Sequence, residues 1–148
     1  MSIFLTPTGG APMREVREAR AEIGVGLAGD RYAGGAGTFS RTVGSGRHVT
    51  LIEIEALAAA ERDYDLAIAP ALTRRNLLVS GVALNHLVGK EFQVGEVRLL
   101  GTRLCEPCNH MEELSGIAGA RKALIHRGGL RCDVVRGGTL RAGDAVVV

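Results

Sequence analysis

The stretch GKEFQVGEVRLLGTRLC, residues 89–105, decides how this chain is read. Glu91 to Val94 and Val97 to Leu104 are two short runs that alternate apolar and polar residues. Between them stands Gly95-Glu96, so the stretch reads as a β-hairpin with a two-residue turn. Its pattern returns near the C-terminus. GGTLRAGDAV, residues 137–146, repeats the order of glycine, short strand, glycine-acid and valine. Two such corners predict repeated strand turns of a barrel, and no longer repeat in the chain points to a solenoid.

Working outward, SIFL near the N-terminus reads as a first strand, and MREVREARAEIG, residues 13–24, as either helix or strand. Val16 and Ile23 are seven positions apart there, as on a helix, but the apolar face is thin. Glycines recur through residues 24–48, which makes that segment a long loop. A loop of such length inside a compact domain is usually functional or disordered. HVTLIEIEALAAAERDY, from His48, begins as a strand and turns into an Ala/Leu-rich helix at about Glu53. A short apolar strand follows at Leu77 to Val79, and a single helical turn precedes the hairpin. Beyond Pro107 the pattern becomes polar and helical, and GIAGARKALIHRGG, residues 116–129, reads as a better helix ending at its glycines. Residues 130–148 supply a strand, a glycine turn and a terminal strand. No strand-helix-strand alternation runs through the chain, so the expected class is mainly β with peripheral helices (α+β), closed into a barrel, in one domain over residues 1–148.

The chain has 148 residues, enough to bury a real core without disulfides. A net charge of +2 and 3% aromatic residues do not suit a nucleic-acid binder. No apolar run is long enough to span a membrane, and no signal peptide precedes the first strand, so the cytoplasm is the expected location. All basic residues but Lys90 and Lys122 are arginines, whose planar fork suits phosphates and carboxylates.

Three places hold candidate chemistry. Cys105, Cys108 and His110 form the cluster LCEPCNH. A structural zinc site needs four ligands, and here the second half-site is missing unless the distant Cys132 or His126 joins. Dithiol redox chemistry fits the local order of strand, Cys-x-x-Cys and helix, but not its place late in a β-rich chain. The simplest assignment makes Cys105 and Cys132 small buried hydrophobes and leaves Cys108, after Pro107 at a strand–loop–helix corner, as the functional thiol. Second, Arg74 and Asn76 in TRRNLLVSG stand at the mouth of a strand; they either grip a phosphate or form an ordinary solvated strand end. Third, GLAGDRYAGGAG lacks phosphate-loop spacing but would carry Asp30 and Arg31 toward a site.

Taken in order, GVGLAGDRYAGGAGTFS, GRHVTLIEIEAL, TRRNLLVSGVALNHLVGKEFQVGEV, LCEPC and GGTLRAGDAV resemble a MOSC domain, over about Val25 to Val148. The resemblance implies a β-barrel with outer helices and binding of the molybdenum cofactor, a pterin dithiolene bearing a phosphate. It implies that Cys108 is the metal ligand and catalytic residue, and that Arg74, Asn76 and Arg31 hold the cofactor. The implied activity is reduction of N-hydroxylated small molecules, with an electron-donor protein, or passage of sulfur from a donor protein through a persulfide on Cys108. A non-catalytic module that delivers cofactor or sulfur, and a zinc-stabilised small domain, are the alternatives. One position departs from the family pattern: His48 stands where glutamine usually precedes Val-Thr-Leu.

Overall fold

The computed structural model describes residues 1–41 and 47–148. The hairpin forms where the alternation places it: β7 (Glu91–Val94) pairs antiparallel with β8 (Val97–Leu104), Val94 opposite Val97. Gly95 takes a φ of 55° in the turn, the left-handed backbone that such two-residue turns require. The echoed corner lies against this one. Strand β11 (Val146–Val147) pairs with β7, and the Gly95 amide donates to the Ala145 carbonyl at 3.3 Å. The internal repeat is therefore a pair of turns that pack on each other.

The N-terminal segment is built of strands: β1 (Ser2–Leu5), β2 (Arg14–Val16) and β3 (Glu18–Glu22). The open choice over residues 13–24 thus resolves to strand. Ala19 and Ala21 are buried while their neighbours are exposed, a period of two too weak in hydrophobicity to stand out. Strand β4 (Gly26–Leu27) pairs with β3, and the remaining elements are β5 (Val49–Glu53), α1 (Ile54–Tyr64), a 3-10 turn (Pro70–Thr73), β6 (Leu77–Val79) and a second 3-10 turn (Leu84–Leu87). After β8 come α2 (Asn109–Ser115), α3 (Ala120–Ala123), β9 (Leu130–Arg136) and β10 (Gly138–Arg141). The helix expected over residues 116–129 is reduced to the four residues of α3. Gly116 ends α2, Gly119 opens α3, and the chain must turn back into β9 through His126, itself at a φ of 60°.

Among the described residues, eight strands form one sheet in the order β11-β7-β8-β9-β5-β6-β1-β2, with only the β5 and β6 ladder parallel, the two joined over α1. Three more, β10-β3-β4, form a second sheet. Ile3 at one side of the large sheet, Val94 near the other, and Ala19, Ala21, Leu27 and Leu140 of the small sheet belong to one apolar core. The large sheet therefore curls around that core as a half-barrel. It does not close into the expected barrel: among the described residues, β2 and β11 are its edges and no ladder joins them. The chain leaves the large sheet between β2 and β3 and again between β9 and β10, and the two departing strands pair with each other instead. The mouth of the half-barrel is covered by that small sheet.

Strand β5 is buried on both faces. Leu51 points into the main core, whereas Ile52 points outward into a second one formed with Leu57, Ala60, Met111, Ala123 and Leu124 of the helical layer. Consequently α1, α2 and α3 are pinned to the outer side of the sheet, next to the C-terminal end of β8. No described helix is long and apolar enough to cross a membrane.

Candidate functional site

At the end of β8 the two neighbouring cysteines part company. Cys105 is 2% exposed, and its amide donates to the Gly129 carbonyl at 2.7 Å. Pro107 turns the chain outward, and Cys108 stands exposed at the start of α2, its carbonyl accepting from the Met111 and Glu112 amides. No cysteine is disulfide-bonded. Burial pushes the Cys132 thiol well above its ordinary range, with Cys105 and Asp133 adding to the effect. Cys105 and Cys132 are the small buried hydrophobes expected, and burial of this kind makes a thiol structural, not reactive. Zinc has no ligand set: among the described residues no three His, Cys, Asp or Glu side chains converge on one point.

Cys108 opens onto a narrow cleft that is continuous with solvent. Arg31, Arg47, Arg74, Arg75 and Arg131 line it, against one carboxylate, that of Glu106. Glu106 is itself engaged with His126, accepting from its amide at 3.0 Å and lying 3.2 Å from its Nδ1. An excess of fixed positive charge in a concave, partly desolvated surface attracts anions. Thr50, Tyr32, Phe39 and His110 also line the cleft. His110 is held by Thr38, 3.2 Å from its Nε2, and meets the edge of Phe39 with ring centres 5.8 Å apart.

The Gly-Asp-Arg segment reaches the cleft through Arg31. Asp30 lies behind it, 3% exposed, and accepts hydrogen bonds from the Thr6 and Tyr32 amides, from Asn76 Nδ2 and from Arg31 Nη1. Arg31 is thereby fixed in place, and its Nη2 donates to the Arg74 carbonyl at 3.0 Å. Its guanidinium also lies 4.9 Å from the centre of the Tyr32 ring. Arg74 closes the 3-10 turn in left-handed backbone, φ 64°, and donates from Nη1 to the Ala11 carbonyl. Burial, and then the charge of Arg31 beside it, lower the Arg74 guanidinium from its ordinary value. A cation held in this way is stabilised by any anion that enters.

Cys108, Arg31 and Arg74 thus share one cleft, and Asn76 is absent from its lining. Asn76 is 1% exposed and its amide is saturated: Oδ1 accepts from the Thr50 amide and hydroxyl, and Nδ2 donates to Phe4 and Asp30. Arg74 and Asn76 would share one face only if the strand extended to them, but it begins at Leu77 and Arg74 lies in a turn. Arg131, which the sequence reading does not single out, pairs with Thr50 across the β5–β9 ladder, and both line the cleft. Its signal was its place at the start of a strand. Arg75 carried no such signal. His48 lies elsewhere, its Nδ1 accepting from the Val134 amide at 3.1 Å, and His86 and His126 line a separate depression.

The MOSC domain family model matches residues 38–147. Among solved structures, the YUAD protein from Bacillus subtilis superposes with a TM-score of 0.82 at 18% identity, covering 98% of this chain and 91% of that one. YiiM from Geobacillus stearothermophilus gives 0.73 at 14% identity, over 99% and 72% of the two chains. YiiM from Escherichia coli gives 0.67 at 19% identity, over 99% and 69%. At such identities the likeness is one of fold. No curated protein sequence matches the chain.

Proposed function

The chain belongs to the MOSC domain family, and on that premise we propose that its cleft holds a molybdenum–pterin cofactor with Cys108 as the metal ligand. The observation that carries this is the pairing of one exposed thiol with a wall of arginines in a single cleft. The donor set suits the group: a thiolate is a soft ligand of the kind molybdenum takes, and guanidinium forks suit a phosphate. When bound, the cofactor supplies two-electron redox chemistry, and reduction of N-hydroxylated small molecules is the activity we assign to it. Arg74 and Arg31 bind the anionic end. Arg47 and Arg131 add positive charge, and Tyr32 and Phe39 form an apolar wall against a planar ring. Asn76 touches no ligand in this scheme; it holds Asp30, which orients Arg31. The proposed setting is the cytoplasm, with an electron-donor protein as partner.

Metal analysis of protein made in a cofactor-producing host tests the assignment. Near-stoichiometric molybdenum is expected in the wild type, and clearly less in Cys108→Ala, because a tenfold weaker site, about 1.4 kcal/mol, drops from near-full to about half occupancy. Equal metal in both proteins, or none in the wild type, refutes the ligand role. Turnover of an N-hydroxylated substrate with a reductant separates an enzyme from a cofactor-delivery module. A second role, sulfur carriage, draws on the exposure of Cys108, which also borders a shallow outer depression with Asn109 and Arg121. A persulfide on Cys108 in the mass spectrum of the intact protein is the outcome it requires.

A further inference from the structure

Arg75 forms part of the inner wall of the cleft and is 7% exposed. Among the described residues, no carboxylate lies within ion-pair distance of it. Its guanidinium instead binds three backbone carbonyls: Nη1 donates to Thr73 at 2.9 Å, Nε to Gly128 at 2.8 Å and Nη2 to Cys105 at 2.7 Å. These belong to three separate segments. Thr73 precedes Arg74 in the 3-10 turn, Cys105 begins the corner that ends at Cys108, and Gly128 is the link between α3 and β9. Burying a charge with no counter-charge is costly unless each N–H is matched by an acceptor, so the fork dictates the spacing of the three carbonyls. The Cys108 corner also rests directly on Gly128. A Cβ there would come within 2.6 Å of the Cys105 carbonyl oxygen and 2.8 Å of Pro107 Cδ.

We infer that Arg75 is a positioning residue that sets the Cys108 thiol against Arg74, so that thiol and cationic wall act on one bound anion. This rests on the cleft being the functional site. Its fork is spent on these three carbonyls, so it acts through the backbone of the residues on either side of the cleft. A lysine keeps the charge but cannot reach three divergent carbonyls.

The test uses the only exposed thiol as a reporter. The rates of Cys108 alkylation by anionic iodoacetate and by neutral iodoacetamide are compared, and their ratio is divided by that of free N-acetylcysteine. In the wild type at low ionic strength the normalised ratio is expected to be about ten, since a focusing cationic cleft concentrates anions by that order or more, and to fall with salt. Arg75→Lys retains the charge and is expected to bring the ratio below about three. Gly128→Ala displaces the same corner from beneath with every arginine in place, and is expected to do likewise. A role in stability alone would lower the melting temperature and leave the ratio unchanged. If either variant is folded by circular dichroism and keeps the wild-type ratio, the positioning role is overturned. Should Arg75→Lys fail to fold, Gly128→Ala decides the matter. A wild-type ratio near one is a different failure, removing the anion-attracting cleft itself.

Discussion

Single residues show how neighbours in sequence divide their tasks. Asn76 is the clearest: four hydrogen bonds join β1, β5, β6 and the Asp30 loop through one buried amide. Asn76→Ala strands several buried polar groups and is expected to cost about 2–4 kcal/mol in urea denaturation, well beyond a surface change. The split between Cys105 and Cys108 was legible from the strand ending and the intervening Pro107. The partition of Arg74, Arg75 and Asn76 was not. Arg74 adopts a left-handed φ of 64°, which nothing in its chemistry announces, and both arginines line the cleft while Asn76 does not.

Among the elements, the two echoed corners are bound by Glu96. Its carboxylate accepts from Arg141 Nη1 at 2.6 Å and from the Thr139 amide at 3.1 Å, tying the β7–β8 hairpin to β10. The Arg141 hydrogen bond, then that from Thr139, holds Glu96 below its ordinary value of 4.5. Its folded value is thus lower than its unfolded one, so the contact stabilises above about pH 4.5 and is lost as pH falls through the lower, folded value. Wild type is expected to lose urea stability more steeply below that pH than Glu96→Gln, with matching slopes above about pH 6. At the start of β9, Gly129 has a φ of 102° and no room for a Cβ against the Leu51 carbonyl. Gly129→Ala is expected to lose about 4 kcal/mol or more, or to yield no folded protein, as seen by circular dichroism. The hairpin bounds were legible from alternation. Strand β3 was not, because its buried residues are alanines, and α3 was overestimated because local propensity cannot register where the chain must turn back.

For the molecule as a whole, β5 joins the layers, with Leu51 in the main core and Ile52 under the helices. A sheet strand shared by two cores couples them. We expect one domain and one calorimetric transition, lowered both by Leu99→Ala in the half-barrel and by Leu57→Ala on the buried face of α1. Leu99, fully buried, is expected to cost about 3 kcal/mol. Two separate transitions, each sensitive to one substitution, would contradict that coupling. The barrel does not close because two chain exits divert β3 and β10 into their own sheet, a pairing between segments more than a hundred residues apart.

Alternation, glycine turns and the order of motifs were enough to determine a mainly β chain with outer helices, its family, the β7–β8 hairpin and the distinction between Cys105 and Cys108. These are local or sequential properties, written in periodicity and residue type. The tertiary structure alone decided that the sheet stops at a half-barrel, that Asn76 supports the cleft from behind, and that Arg75 ties Thr73, Cys105 and Gly128 together. Each of these depends on contacts between distant segments, set by where buried polar groups find their partners. Spacing along the chain does not encode them.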